Sequence, residues 1–148
     1  MKINKIISLI VALIFSTTFF GQSWDLVWEE NFNGTTLNDS VWTHEIGSGS
    51  QYGLWGWGNG EQQFYQASNS EVSNGQLKIT AKQEPNGLID SWGSSYYISS
   101  SRIVSRDKME FRYGKVEARI KTVNGEGFWP AFWMLPSGGS WPCDGEID

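Results

Sequence analysis

The alternation of charged and apolar residues at positions 115–121 is the sequence feature that most constrains the fold. Lys, Glu, Arg and Lys alternate strictly there with Val116, Ala118 and Ile120. A period of two is the pattern of a half-buried β-strand, because successive side chains of a strand point to opposite faces of the sheet. One apolar face and one charged face are typical of an antiparallel sheet. The segment therefore predicts a protein built from β-strands.

Turn signals recur along the chain and support an all-β protein. Residues 77–82 also alternate between apolar and polar side chains, and we find hardly any apolar pattern long enough for a helix. Short strands separated by frequent turns are typical of β-sandwiches and barrels. The predicted turns are Asn33-Gly34, Asn74-Gly75, Pro85-Asn86-Gly87, Asn124-Gly125 and Ser137-Gly138-Gly139.

Residues 1–21 have the layout of a secretory signal peptide. Lys2 and Lys5 precede an apolar run at 6–20, which Gly21 follows. A basic start before an apolar centre indicates export, and the run is short for a membrane-spanning helix. An uncleaved, anchored start is the alternative. We therefore expect residues 22–148 to belong to one domain of a secreted protein, either extracellular or periplasmic.

Composition excludes several classes of function. The chain of 148 residues has 11 Lys plus Arg against 16 Asp plus Glu, a formal net charge of −5. An acidic chain is a poor partner for nucleic acid or for an anionic membrane surface. One Cys forms no intramolecular disulfide, and one His excludes a poly-His metal cluster. Neutral polymers and small neutral ligands remain as partners.

Two segments concentrate aromatic side chains. The glycine-rich stretch at 47–60 carries Tyr52, Trp55 and Trp57. Rings on such a loop suit ligand binding, because glycine permits close approach, but they fit equally well as rings packed onto the core. Residues 128–135 are apolar on both faces of a predicted strand, with two Trp about 13 Å apart on one face. That face suits successive rings of a polymer, and an ordinary aromatic core is the alternative.

The last four residues are Gly-Glu-Ile-Asp. A strand places Glu146 and Asp148 on one face. Paired carboxylates suit glycoside cleavage, in which one attacks the anomeric carbon and another protonates the leaving oxygen. Without the aromatic residues upstream, an acidic solvated strand end would be the favoured interpretation.

Taken together, these motifs resemble glycoside hydrolase family 16, specifically its laminarinase-like bacterial endo-β-1,3-glucanases. The resemblance spans the whole chain after the predicted signal peptide. It implies a β-jelly-roll sandwich of the concanavalin A type with a long cleft, of which this chain is an incomplete N-terminal part. The motifs lie at 26–34, at 58–63 around Asn-Gly-Glu, at 113–121, at 125–136 around Phe-Trp-Pro-Ala-Phe-Trp, and at 141–148.

The resemblance also implies roles for individual residues. Glu146 is the expected nucleophile of a retaining mechanism, and Asp148 is expected to assist it. The general acid/base Glu is expected two or three residues beyond Asp148, so we expect this chain alone to be inactive. The implied substrate contacts are Asn59, Glu61, Arg102, Trp129, Trp133 and Trp141.

The function implied by the resemblance is that of a secreted, monomeric endo-hydrolase of β-1,3-glucan that requires no cofactor. A structural calcium often lies near the family's opening strand, but Asn31 replaces the usual acidic residue, so this sequence alone does not support one. The alternatives are a non-catalytic β-glucan-binding module and a hydrolase of mixed-linked glucan or marine galactan. A Trp-rich cleft with few basic residues favours a neutral glucan over a sulfated galactan.

Overall fold

The computed structural model describes Gly21 and residues 23–148. The predicted signal peptide lies outside these residues except for Gly21, and it stays a prediction. In the described part, no helix is both long and apolar enough to cross a membrane. Short 3-10 helices occupy Ser50–Tyr52, Trp55–Gly58 and Ala67–Asn69. The strands are β1 (Thr43–Glu45), β2 (Phe64–Tyr65), β3 (Ser70–Ser73), β4 (Gln76–Ile79), β5 (Lys82–Ile89), β6 (Ser95–Ser100) and β7 (Arg102–Val104).

These strands form three small sheets. β1 pairs antiparallel with β7, and β3 pairs antiparallel with β4. In the third sheet β6 lies in the centre, antiparallel to β5 and parallel to β2. The register of the first sheet places Glu45 opposite Arg102. Strand pairing thus brings together two charged residues that are 57 positions apart in the chain.

The tight turn between β3 and β4 confirms one sequence prediction. Asn74 and Gly75 have φ angles of 53° and 71°, as a two-residue hairpin turn with positive φ at both positions requires. The alternation at residues 77–82 is confirmed only in part. β4 ends at Ile79 and β5 begins at Lys82, so the pattern covers the end of one strand and the start of another.

The predicted turn at Pro85-Asn86-Gly87 is wrong. These residues lie within β5, where the pairing with β6 shifts register between Gln83 and Leu88. The extra residues of β5 form a bulge, because the pairing with β6 continues on both sides of them. Pro85, which has no amide hydrogen to donate to β6, lies within this bulge. Gly87 has a φ of 72° in this bulge.

Polar contacts join the glycine-rich loop to the β5–β6 connection. Ser48 is almost fully buried and donates a 2.7 Å hydrogen bond to the Asp90 carboxylate. The other Asp90 oxygen accepts hydrogen bonds from the amides of Trp92 and Ser94. Burial raises the pKa of Asp90, but these hydrogen bonds outweigh it and hold the pKa below its usual value. The carboxylate therefore fixes one end of the loop.

Residues 105–148 contain no strand, so the three strands expected there, at 115–121, at 128–135 and at 146–148, are not found. Residues 115–121 are exposed, and the 128–135 segment pairs only at Met134, which forms an isolated antiparallel bridge with Ile147. A strand needs a neighbour to accept and donate its backbone hydrogen bonds. No other described segment pairs with residues 115–121, so the alternation alone does not produce a strand.

Candidate active site

Arg102 is at the centre of a cluster of charged and aromatic side chains. Its Nε donates a 2.5 Å hydrogen bond to Glu45 Oε2, and its Nη1 lies 3.8 Å from Glu61 Oε1. Its guanidinium carbon lies 4.5 Å from the ring centre of Trp57 and 4.8 Å from that of Trp133. A cation over aromatic rings is attracted by their negative faces. Carboxylates and rings together hold the planar guanidinium in one orientation.

Charge is balanced within this cluster. Glu45 is 5% exposed and also lies 3.3 Å from the Arg106 guanidinium, so one buried carboxylate faces two arginines. A buried carboxylate needs such partners, because an unpaired charge in the interior is costly. Within the described part, the Nη atoms of Arg102 make no hydrogen bond. They remain able to donate to hydroxyl groups of a ligand.

The Glu61 carboxylate is fixed by side chains from its own segment. Oε1 accepts a 3.2 Å hydrogen bond from Asn59, and Oε2 accepts one of 2.5 Å from the Tyr65 hydroxyl and one of 2.9 Å from Gln63. Burial of the hydroxyl, followed by its hydrogen bond to Glu61 and that carboxylate's charge, raises the pKa of Tyr65 well above its usual value. Tyr65 thus stays a neutral donor to Glu61.

The glycine-rich loop reaches this geometry because of Gly56. A Cβ at Gly56 would lie 2.4 Å from the backbone nitrogen of Glu61, so only glycine fits there. Trp57 follows with a φ of 55°, which is rare for a bulky side chain. Its indole donates a 3.1 Å hydrogen bond to the Gly47 carbonyl, and its ring lies 5.9 Å from that of Tyr65. These contacts hold the strained residue in place.

The rings of this loop differ in burial, and packing onto the core is confirmed for one of them. Trp57 is 8% exposed and belongs to the core beneath Arg102, whereas Trp55 is 62% exposed. The loop therefore combines a buried anchor with an exposed aromatic face.

One backbone bridge joins the second aromatic segment to the predicted catalytic residues. The Met134 amide donates to the Ile147 carbonyl at 2.8 Å, and the Ile147 amide donates to the Met134 carbonyl at 3.0 Å. In this antiparallel register Trp133 lies opposite Asp148. The ring that contacts Arg102 is therefore carried by the segment that pairs with the carboxylate-bearing one.

The structure brings together four of the predicted site residues, Asn59, Glu61, Arg102 and Trp133. It also joins Trp141 to the predicted nucleophile, since the indole donates a 2.7 Å hydrogen bond to Glu146 Oε2 at an exposed position. Trp129 is 77% exposed and belongs to neither group. The roles of all these residues, and of Asp148, stay predictions.

Four members of the cluster were not expected from the sequence: Glu45, Arg106, Trp57 and Tyr65. Arg106 joins the cluster only through Glu45. Glu45 has no local signal, because its partner Arg102 is reached only through the β1–β7 pairing. Trp57 was one of several rings on the loop, and nothing in the sequence separated it from the exposed ones. Tyr65 lies outside the motifs found in the sequence. It is four residues after Glu61, and its hydroxyl donates a hydrogen bond to that carboxylate.

The Glu30 carboxylate of the opening segment, next to Asn31, has partners within the protein. It accepts hydrogen bonds from the Phe32 amide at 2.8 Å and the Trp42 indole at 3.3 Å. Over residues 23–148 no three His, Cys, Asp or Glu side chains come together as metal ligands.

Comparison with known proteins identifies the family. Residues 58–148 match the model of glycosyl hydrolases family 16. The chain belongs to this family. The resemblance deduced from the motifs is thereby confirmed, and the matched range includes every predicted site residue from Asn59 to Asp148.

Named members of family 16 are similar to most of this chain. A glucan endo-1,3-beta-glucosidase of Niallia circulans is 40% identical over 84% of the chain and 19% of its own length. A beta-glucanase of Rhodothermus marinus is 37% identical over 84% of the chain and 42% of its own length. The chain thus spans less than half the length of these relatives.

A solved family 16 structure supports the fold. The catalytic domain of an endo-1,3-beta-glucanase (laminarinase) from Thermotoga petrophila superposes with a TM-score of 0.58 at 36% identity, over 64% of this chain and 36% of that one. The all-β, jelly-roll fold class is therefore confirmed, with about a third of the solved domain covered.

Proposed function

We propose that the protein containing this chain is a secreted, retaining endo-β-1,3-glucanase of family 16. The observation that carries the proposal is the Arg102 cluster, which contacts Trp133 on a segment that one backbone bridge joins to residues 146–148. The names of the relatives, which include a glucan endo-1,3-beta-glucosidase, support β-1,3-glucan as the substrate.

The cluster suits a sugar chain. Aromatic rings stack on the apolar faces of sugar rings, and the free Nη atoms of Arg102 donate to sugar hydroxyls. Asn59 still has a second amide hydrogen to offer beside Glu61. A glucan anchored in this way presents an anomeric carbon to Glu146. The expected acid/base Glu protonates the glycosidic oxygen as the Glu146 carboxylate attacks the anomeric carbon, so the glycosidic bond breaks, the leaving sugar departs as an alcohol and a covalent glycosyl-enzyme forms. The same acid/base, now a carboxylate, takes a proton from water, which hydrolyses the glycosyl-enzyme and releases Glu146 with net retention of configuration.

Charge balance favours a neutral glucan. Both arginines of the cluster face carboxylates, so it has no excess positive charge with which to attract sulfate groups. Residues 1–21 have the pattern of a signal peptide, which supports export of the protein to the compartment where it meets such polymers. We propose a monomer that acts alone on the polysaccharide.

The test uses the full-length protein that contains this chain. Release of reducing ends is measured on laminarin, on a mixed-linked β-glucan and on a sulfated galactan, and NMR identifies the first anomer formed. We expect laminarin to be cleaved fastest with the β-anomer appearing first. Binding of laminarin without cleavage would favour the non-catalytic glucan-binding module instead. Cleavage of the galactan alone would contradict the proposal that β-1,3-glucan is the substrate.

A further inference from the structure

A second cleft, of about 340 Å³, shares Glu61 with the Arg102 cluster but has its own aromatic walls. Its lining includes Trp55 from the glycine-rich loop and Tyr97 from β6. These rings are 62% and 60% exposed. Large exposed rings lining a concave surface indicate a binding site rather than packing.

Both rings rest against glycines. A Cβ at Gly60 would lie 2.9 Å from the Trp55 ring, and a Cβ at Gly87 would lie 3.2 Å from the Tyr97 ring. Any other residue at either position would push its ring away from the backbone. Gly87 belongs to the β5 bulge, which thereby supports Tyr97. The rings are consequently held against the protein while much of their surface faces solvent.

Polar groups between the rings suit a neutral, hydroxyl-rich ligand. Gln62 donates its amide to the Gly60 carbonyl at 2.7 Å, which leaves its side-chain oxygen as an acceptor. Ser94 and Ser95 contribute hydroxyls, and no Lys or Arg lines the cleft. Aromatic surface with hydrogen-bonding groups and no cation matches a neutral sugar, and it offers nothing to a phosphate or sulfate.

We propose that the Trp55–Tyr97 cleft binds a further sugar residue of the same neutral β-glucan chain, so that the protein prefers long glucans to short ones. The inference rests on the proposed function and adds a determinant of chain length to it. Glu61 belongs to both sites, so the cleft adjoins the Arg102 cluster that the proposed glucan occupies.

The test is a titration of the full-length protein carrying Glu146→Gln with laminaritriose and with laminariheptaose. Trp55→Ala and Tyr97→Ala are compared with Trp92→Ala, which removes a ring that is 53% exposed and does not line the cleft. We expect each cleft variant to weaken laminariheptaose binding about tenfold, as loss of a central aromatic contact does, and to change laminaritriose binding less than about twofold. The Trp92→Ala protein should bind both ligands normally. Thermal melts check that all variants remain folded.

Equal losses on both ligands, or no loss on laminariheptaose, would overturn the inference. So would an equal loss in Trp92→Ala. These outcomes leave the proposed function intact as long as the full-length protein with Glu146 unchanged still cleaves laminarin. If that unchanged protein neither cleaves nor binds laminarin, the proposed function is overturned, and the inference with it.

Discussion

Residues 43–104 and residues 105–148 carry different halves of the same site and are held in different ways. The first region contains all seven strands and the buried Glu45–Arg102 pair. The second contains the predicted catalytic carboxylates but only one backbone bridge, between Met134 and Ile147. All buried residues of the described part lie between Leu37 and Ser101.

The difference means that the residues predicted to bind substrate and those predicted to be catalytic depend largely on separate contacts. Arg102 and Glu61 have their hydrogen-bond partners within the first region, Glu45 for Arg102 and Tyr65 for Glu61. The carboxylates depend on the Met134–Ile147 bridge and on the contact of Trp133 with Arg102. Substitutions in the first region should therefore change stability, and those in the second should chiefly change catalysis.

The largest effect is expected at Glu146. In the full-length protein, Glu146→Gln should reduce laminarin hydrolysis by about a thousandfold or more, because covalent catalysis loses its attacking oxygen. Asp148→Asn should slow hydrolysis less, since Asp148 forms no bond to the sugar. Both variants should bind laminari-oligosaccharides normally. Equal residual rates, measured by release of reducing ends, would contradict these roles.

The next effect separates the two regions by stability. Arg102→Met leaves the buried Glu45 short of its closest partner and should lower the free energy of unfolding by about 3 kcal/mol. The matched control is Lys115→Met, which breaks the exposed pair with Glu117 in the second region and should cost less than about 0.5 kcal/mol. Urea unfolding of the full-length variants measures both. Similar losses would mean that the buried cluster does not stabilise the first region.

A smaller effect tests the contact between the regions. Trp133→Ala removes the ring over Arg102 and should weaken laminari-oligosaccharide binding by about 1–2 kcal/mol. Trp129 is exposed and touches neither group, so Trp129→Ala should change binding less and leave the melting temperature nearly unaltered. Titration calorimetry and thermal melts compare the pair. A large fall in melting temperature with normal binding would mean that the Trp129 and Trp133 rings pack in the core and do not line a cleft.

The smallest effect is a pH dependence from Tyr65. Its pKa is raised on folding above the ordinary value of 10.0, so its stabilising contribution is complete below about pH 10 and is lost as pH rises further. Tyr65→Phe should lower stability by about 1–2 kcal/mol at neutral pH, because Glu61 loses a donor. The same variant should show a shallower loss of stability above pH 10. Parallel curves for the two proteins would contradict this assignment.

Local chemistry was the part of this structure that the sequence could predict. The hairpin at Asn74-Gly75 was predicted because a two-residue turn depends on those residues alone. The contacts of Glu45 were not, since they follow from strand register across 57 positions. Alternation at residues 115–121 predicted a strand wrongly, because it describes which face could be buried and says nothing about a neighbouring strand.

Similar reasoning applies to the candidate site. Asn59, Glu61 and Trp133 were predicted because each lies within a family motif, and Arg102 because the resemblance implies an arginine there; the structure brings these four together. Trp129 was predicted on the same grounds and lies apart from them. Motifs identify residue types in order along the chain, whereas the contacts depend on the loop geometry that Gly56 permits.

Hydrogen–deuterium exchange on this chain tests most directly the claim that the two regions are held differently. We expect slow exchange for the paired amides of β5 and β6, because opening them breaks the central ladder. Amides at 105–148 lie in local turns or are unpaired apart from the one bridge, so they should exchange close to the rate of an unstructured chain, with the strongest protection of that region at Met134 and Ile147. Equal protection across both regions, or stronger protection in residues 105–148, would contradict the account.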